Sequence, residues 1–349
     1  MTGLVLSGGG VRGSYEVGAY YAFKKCHIKF NGYVGTSIGA FNAAMFAAGK
    51  EIELLDFWCN VDVAKILGFS KEYQEYLKKN NKSNNTFSHL IFNAKDIIKN
   101  KGIKNDGLKE VLKKYNIEND LRKAKKDFGL VTVRIKDLKP VYAFKEDVPL
   151  NKLNEYILGS CYFPIFKQEK IIDNNYYIDG GVRDNIPVNM LTKKNYKKIY
   201  VIDLDAIGFK KYITNSSNSD IIILKPSKKL KSVFNTNKDD IIYNLKLGYY
   251  DTMKALKKLD GNHYIFKRLP NYIYNFLIRK VDNELLDYIE KRFKTCNSKE
   301  LIIKSLEDIM LIKDFDYNSI YNPIKVINIL KEDKRDLKIN KFIRSLKLF

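Results

Sequence analysis

Residues 3–13 read GLVLSGGGVRG and residues 33–39 read YVGTSIG, and these two stretches decide the fold. In each, a short apolar run predicts a buried strand, glycines follow it, and a helical pattern begins at once. The helices are predicted at 14–25 and 40–48, and Gly49 closes the second one. Because a strand–turn–helix unit occurs twice in succession, an α/β fold with a parallel sheet and flanking helices is expected.

The glycine-rich loop from Gly8 to Gly13 fits G-x-G-x-x-G, a pattern whose backbone N–H groups can hold an anion at a helix N-terminus. A dinucleotide-binding turn also needs an acidic residue about 20 positions further on, and residues 28–33 contain none. A phosphate-binding loop needs Gly-Lys followed by Ser or Thr, which this loop lacks. Two interpretations remain, a tight turn and a site for a transient oxyanion.

The second glycine motif, Gly35-Thr36-Ser37-Ile38-Gly39, fits the G-x-S-x-G nucleophile elbow. Its glycines permit a sharp strand-to-helix turn that exposes the serine hydroxyl. A serine nucleophile needs a base, but the chain has only three histidines, each expected at the surface: His27, His89 and His263. Asp179, which ends a predicted strand and begins an Asp-Gly-Gly turn, is the alternative base.

The three motifs in this order resemble the bacterial-type patatin-like phospholipases, which are serine acyl hydrolases with a Ser-Asp dyad. G-G-G-x-[RK]-G matches residues 8–13, G-x-S-x-G matches 35–39, and D-G-G-x-x-x-N-x-P matches 179–187 through Asn185 and Pro187. The resemblance covers residues 3–205. It implies a three-layer α/β/α fold with a mostly parallel central sheet, together with a helical insertion and a helical C-terminal region.

The resemblance also implies a role for each motif and requires no metal or cofactor. Ser37 is expected as nucleophile and Asp179 as general base. The oxyanion hole is expected to be formed by Gly8, Gly9, Gly10, Arg12 and Gly13. Gly35 and Gly39 are the glycines of the elbow, and Gly180 and Gly181 are those of the Asp loop. One departure lies at Gly159 to Pro164, where Tyr162 and Phe163 are bulkier than the family's small residues, so the acyl pocket is expected to differ in shape.

The net charge of +22 is unevenly distributed along the 349 residues. Of this, +18 lies in residues 60–127 and 225–349, whereas the glycine motifs lie in nearly neutral segments. The predicted organisation is a catalytic domain at 1–225, with a basic helical insertion at about 60–127, and a basic helical region at 226–349. The basic insertion and the basic C-terminal region favour an anionic membrane surface over nucleic acid as the partner. A plain compositional bias of the chain also accounts for their charge.

A basic amphipathic helix is predicted near the C-terminus. Its apolar residues repeat at helical spacing: Ile339, Phe342, Ile343 and Leu346. Residues 338–347 therefore either lie on anionic lipid or pack as a final helix on the core.

The compartment is predicted from what the chain lacks. The four cysteines lie far apart without a C-x-x-C pair, which favours a reducing environment. Neither a signal peptide nor a run of about 20 apolar residues is present, so a cytoplasmic protein, peripheral on membranes at most, is expected.

The sequence favours hydrolysis of phospholipid or lysophospholipid esters, of the phospholipase A or lysophospholipase type. An acyltransferase or thioesterase on the same scaffold stays open, because the acceptor depends on access to the site. A non-catalytic lipid- or nucleic-acid-binding protein is less favoured.

Overall fold

The computed structural model describes residues 1–68, 105–211, 219–316, 319–335 and 337–348, and its elements are numbered over those residues. His89 and most of the predicted insertion lie outside them. The chain forms two compact units, Met1–Asp251 and Thr252–Phe349.

The first unit combines an eight-stranded sheet with helices. Its strands are β1 Thr2–Leu6, β2 Gly32–Thr36, β3 Asp127–Arg134, β4 Lys139–Phe144, β5 Lys170–Ile172, β6 Asn175–Asp179, β7 Lys198–Ile202 and β8 Asp220–Leu224. Its helices are α1 Gly13–Lys25, α2 Ile38–Ala47, α3 Glu51–Asn60, α4 Val63–Ile66, α5 Asp106–Tyr115, α6 Ile117–Lys123, α7 Leu153–Ser160, α8 Val188–Lys193 and α9 Lys238–Ala255, which ends in the second unit. The sheet order is β5-β6-β3-β2-β1-β7-β8, and β4 pairs with β3.

Both faces of the sheet are buried at its central strands β1, β2, β3 and β7, which explains why these strands are nearly continuous apolar runs. One row of paired residues, Leu4, Tyr33 and Tyr200, faces α1 and α2, where Tyr33 and Tyr200 contact aromatic side chains of those helices. The neighbouring row packs with residues of α8 on the opposite face. The mixed α/β architecture predicted from the sequence is therefore confirmed.

Strands β1, β2, β3, β7 and β8 run parallel. Their carboxyl ends meet at one edge of the sheet, which also receives the glycine-rich loop and the elbow. Two antiparallel pairs, β3–β4 and β5–β6, form hairpins in the same sheet.

Helix α9 explains why the first unit includes residues that the sequence analysis assigned to the C-terminal region. It packs so closely on α1 that a Cβ on Gly18 would lie 1.8 Å from the carbonyl oxygen of Leu245. The hydroxyl of Tyr15 also donates to Asp251, at 3.1 Å. Residues 238–251 thus complete the helical layer over the sheet.

The second unit is mainly helical. Its helices are α10 Asn271–Leu277, α11 Asn283–Phe293, α12 Ser298–Ile312, α13 Pro323–Lys331 and α14 Lys338–Ser345. It also contains three short strands that the sequence did not predict: β9 Leu259–Asp260, β10 Ile265–Lys267 and β11 Ile320–Tyr321. They form one sheet in the order β11-β10-β9. These strands are two or three residues long, too short to give a recognisable alternating pattern.

The apolar face predicted near the C-terminus belongs to α14 and lies inside the second unit. Phe342, Ile343 and Leu346 are buried in one apolar core, and Ile339 packs against it. This packing corrects the interpretation that the apolar face lies on lipid, because the same side chains already contact protein. Lys338 and Lys341 are the exposed residues of this helix.

Among the described residues, no helix is both long and apolar enough to cross a membrane.

Candidate active site

Ser37 and Asp179 are brought together by the pairing of strand β3. One edge of β3 pairs with β4, and the other pairs first with β2 and then with β6. Thr36, the last residue of β2, lies opposite Val131, and Asp179, the last residue of β6, lies opposite Thr132. The two strands therefore run toward each other along one edge of β3, and their ends meet.

The elbow places Ser37 in a strained conformation between β2 and α2. Its φ and ψ are 56° and −131°, a region that a residue with a side chain rarely adopts. The flanking glycines are required because there is no room for a side chain. A Cβ on Gly35 would lie 2.3 Å from the carbonyl oxygen of Gly39, and a Cβ on Gly39 would lie 2.4 Å from the carbonyl oxygen of Leu6. This backbone holds the half-buried Ser37 side chain at the carboxyl edge of the sheet.

Asp179 is buried, and both its side chain and its backbone form hydrogen bonds. Its Oδ1 accepts from the backbone N–H of Gly181 at 2.8 Å, and its backbone N–H donates to the carbonyl of Tyr162 at 2.9 Å. Burial raises the pKa of Asp179 to about 6, although hydrogen bonding to the Ser37 side chain and to Gly181 acts in the opposite direction. A carboxylate with this pKa is mostly ionised at pH 7 and is a stronger base than an exposed aspartate.

The glycine-rich loop contains two backbone donors without a protein acceptor. Within the described chain, the N–H groups of Gly9 and Gly10 make no hydrogen bond to protein, whereas Gly8 donates to the carbonyl of Asn185 and Val11 to that of Val233. Gly10 has a φ of +56°, and a Cβ there would lie 2.2 Å from the Val233 carbonyl oxygen. The loop therefore offers the type of donors that an oxyanion hole needs.

Arg12 and Gly13 have structural contacts rather than free donors. The Arg12 guanidinium donates to four backbone carbonyls: Leu204, Asp205, Leu230 and Lys231. Gly13 lies at the closest approach of α1 and α2, where its carbonyl accepts from Asn42 at 3.0 Å. Although Arg12 was expected in the oxyanion-hole set, these contacts favour support of the loop over direct contact with a developing charge.

Two residues whose contacts the sequence analysis missed, Ser160 and Cys161, hold the backbone of the elbow. Ser160 Oγ accepts from the N–H of Ser37 at 2.9 Å and donates to the carbonyl of Val131 at 2.7 Å. The Cys161 thiol donates to the carbonyl of Ser37, at 3.0 Å between sulfur and oxygen. Both belong to the segment 159–164, whose departure from the family pattern was the only sequence signal at these positions.

The bulky residues of that segment pack against protein. Tyr162 is fully buried, with its ring edge-to-face with Phe166 at 5.6 Å between centroids. Phe163 is edge-to-face with Phe234, at 5.1 Å. These rings fill space that small residues would leave open, and the expected difference in the shape of the acyl pocket stays a prediction.

Asn185, from the extended Asp-Gly-Gly pattern, links the two loops. Its side-chain amide donates to the carbonyl of Gly8 at 3.2 Å, and its own carbonyl accepts from the N–H of Gly8. A Cβ on Gly8 would lie 2.3 Å from its Oδ1, and one on Gly181 would lie 2.8 Å away. The glycine-rich loop and the Asp loop are therefore held at a fixed separation.

The buried end of α2 is anchored by a polar network that the motifs did not indicate. Asn42 donates to the carboxylate of Glu16 at 2.8 Å and accepts from the indole N–H of Trp58 at 3.1 Å. Burial raises the pKa of Glu16 well above its usual value. The network joins α1, α2 and α3 behind the elbow.

In this arrangement, a hydroxyl on a strained turn lies beside a buried carboxylate, and a loop at the same edge carries two N–H groups that have no acceptor among the described residues. His27 precedes β2, and His263 belongs to the second unit. Among the described residues, no group of three or more His, Cys, Asp or Glu side chains is arranged to hold a metal ion. The geometry suits acyl transfer through a covalent ester.

These features define a class of protein, an α/β fold with a G-x-S-x-G elbow and an Asp-Gly-Gly loop. The sequence profile of the patatin-like phospholipases matches residues 4–192, more than half of the chain. The chain belongs to the patatin-like phospholipase family, as its three motifs predicted.

Two similar proteins illustrate the relationship. The chain is 26% identical over 200 residues to "Probable lipid hydrolase 463L" of Invertebrate iridescent virus 6, an alignment that covers 56% of this chain and 64% of that protein. The chain thus spans less than two thirds of the length of this relative. It is also similar to the crystal structure of VipD from Legionella pneumophila, with 16% identity, a TM-score of 0.47, and coverage of 98% of this chain and 83% of that one.

Proposed function

We propose that the protein is a serine lipid acyl hydrolase that cleaves fatty acyl esters of phospholipids or lysophospholipids. The observation that carries this proposal is the buried Asp179, whose carboxylate interacts with the hydroxyl of Ser37 on a strained elbow. Family membership and the viral lipid hydrolase support a lipid ester as the substrate.

The mechanism follows from the positions of these groups. Asp179 accepts the proton of Ser37 as the hydroxyl attacks the ester carbonyl. The N–H groups of Gly9 and Gly10 stabilise the oxyanion, and each such donor contributes about 10²–10³ in rate. Protonated Asp179 then gives the Ser37 proton to the leaving alcohol or lysolipid, which departs and leaves the acyl group esterified to Ser37. Water attacks this ester as the ionised Asp179 accepts its proton, and the fatty acid is released with Ser37 restored.

The basic surface supports a further part of the proposal, association with an anionic membrane. Because the apolar face of α14 is buried, residues 338–347 contribute through charge alone. Such contacts amount to about 1 kcal/mol for each basic group close to the lipid, and salt weakens them.

The proposal is tested by treating the full chain with a fluorophosphonate probe and mapping the adduct by mass spectrometry. We expect the label on Ser37, none in Ser37→Ala, and release of fatty acid from lysophosphatidylcholine by the wild-type chain alone. The proposal fails if Ser37→Ala releases fatty acid as fast as wild type. Transfer of the acyl group to an added alcohol in place of water would assign the chain to the acyltransferases.

A further inference from the structure

An exposed apolar and basic rim borders the Asp loop of the first unit. Its members come from three segments that are distant in sequence: Leu138, Val182, Arg183, Ile207, Phe209, Lys210 and Lys211. The exposed fractions of its apolar side chains are 48% for Leu138, 45% for Val182, 76% for Ile207 and 59% for Phe209.

Hydrogen bonds place these segments together beside the catalytic loop. The N–H of Phe209 donates to the carbonyl of Gly181 at 2.9 Å, and the carbonyl of Phe209 accepts from the N–H of Asn185 at 2.7 Å. Arg183 Nε donates to the carbonyl of Leu138 at 3.1 Å. The N–H of Gly181 in turn donates to Asp179, so the rim lies within a few residues of the reacting groups.

The charge of the rim is positive. Residues 136–139, 182–183 and 205–211 contain five basic and two acidic residues. The Lys210 ammonium lies 2.9 Å from the buried carboxylate of Asp203, which a second lysine, Lys225, also approaches to 3.6 Å. Because the two lysines share this single carboxylate, positive charge remains at the surface beside the exposed Ile207 and Phe209.

Exposed apolar side chains at loop tips, flanked by lysine and arginine, are suited to the boundary between lipid headgroups and acyl chains. The stability of the fold does not explain these exposed apolar side chains, because an apolar side chain that stays in contact with water contributes no hydrophobic stabilisation. The apolar face of α14, the other candidate for lipid contact, is already buried.

We propose that this rim is the surface by which the protein docks on an anionic phospholipid bilayer, with Ile207 and Phe209 entering the headgroup region. The inference deepens the proposed function and rests on it, since docking at this edge brings the Ser37 side of the sheet to the lipid esters. A substrate leaving the bilayer then has a short path to the elbow.

The test uses the Ser37→Ala chain, so that binding is measured on vesicles that are not consumed. Vesicles of equal parts phosphatidylcholine and phosphatidylglycerol are sedimented with the protein, and pure phosphatidylcholine vesicles serve for comparison. Adding Ile207→Ser is expected to weaken binding to the anionic vesicles about tenfold, because one large apolar side chain no longer enters the lipid. Val182→Ser is expected to act in the same direction with a smaller effect.

A matched control is Ile52→Ser. Ile52 is 71% exposed, close to the value for Ile207, but it lies in the first turn of α3, beyond α2, whose ten residues span about 15 Å from the elbow. It should bind vesicles as the parent does. Equal binding by the Ile207→Ser and Ile52→Ser chains overturns the docking surface, as does equal binding of the parent to both vesicle types.

These outcomes are separate from the proposed function. Labelling of Ser37 and release of fatty acid test the chemistry in the wild-type chain, whereas sedimentation tests the rim in an inactive one. Thermal unfolding of Ile207→Ser, expected to match the parent because the side chain is exposed, confirms that a loss of binding is not a loss of fold.

Discussion

The carboxyl edge of the sheet was predicted from the sequence to be the active site, and the C-terminal helix α14 was predicted either to lie on lipid or to pack on the core; the two regions are different kinds of structure. At the sheet edge, Ser37 adopts a strained backbone and Asp179 is buried with a raised pKa. In α14, Phe342 and Ile343 pack in an ordinary apolar core. A strained backbone and a buried carboxylate destabilise the fold, so their presence is evidence of function. An amphipathic pattern is explained by packing against a core and is not evidence of function by itself.

The largest expected effect is at the sheet edge. Asp179→Asn should lower kcat/KM on a soluble ester by about 10²–10⁴, because it removes the general base. It should also raise the free energy of unfolding at pH 8 by up to about 3 kcal/mol, since the fold raises the pKa of this carboxyl from 3.8 to about 6 and so disfavours its ionised form.

The size of this stability effect depends on pH. The wild-type chain loses the contribution of the protonated carboxyl as pH rises from about 4 through about 6. The advantage of the Asn variant should therefore shrink toward zero at pH 4, as measured by urea unfolding. A variant that is active, or is destabilised at pH 8, would remove the contrast between the sheet edge and α14.

The next effect is in α14. Phe342→Ala should lower the free energy of unfolding of the second unit by about 3–5 kcal/mol, because it leaves a cavity in a core where Phe342 is fully buried. The control is Ile329→Ala in the same unit, since Ile329 is 55% exposed. If Phe342→Ala weakened vesicle binding while unfolding at the same urea concentration as wild type, the helix would be a lipid anchor after all.

Two fully buried serines, Ser160 in the first unit and Ser305 in the second, sharpen the comparison. Ser160→Ala leaves the N–H of Ser37 without its acceptor, so a loss of about 1–3 kcal/mol is expected. We also expect a fall in kcat with little change in KM, since the elbow backbone is less fixed. Ser305 Oγ has no hydrogen-bond partner among the described residues, so Ser305→Ala should be neutral or slightly stabilising. Equal effects of the two substitutions would mean that the Ser160 contacts do not support the elbow.

The smallest effect is in the pH profile. The kcat/KM for a soluble ester should fall about tenfold for each pH unit below about 6, as Asp179 becomes protonated. A profile that stays flat to pH 4.5 would show that Asp179 does not titrate as the base.

The sequence predicted what short-range patterns encode. Glycine spacing identified the elbow because Gly35 and Gly39 meet backbone atoms close in sequence or in the adjacent strand. The contacts of Ser160 with Ser37 and Val131 could not be predicted, because they join three segments through the tertiary fold. The burial of the apolar face of α14 could not be predicted either, because the same helical periodicity of apolar residues fits both a protein core and a lipid surface.

The meeting of β2 and β6 along one edge of β3 has a consequence for the newly made chain. Ser37 and Asp179 are 142 residues apart, so the hydroxyl is synthesised long before the carboxylate that would activate it. Because β6 must pair with β3 before the two side chains meet, an unfinished or misfolded polypeptide carries the Ser37 hydroxyl without the Asp179 carboxylate beside it. If Ser37 and Asp179 act as proposed, the cell that makes the enzyme is spared lipolysis by incomplete copies of it.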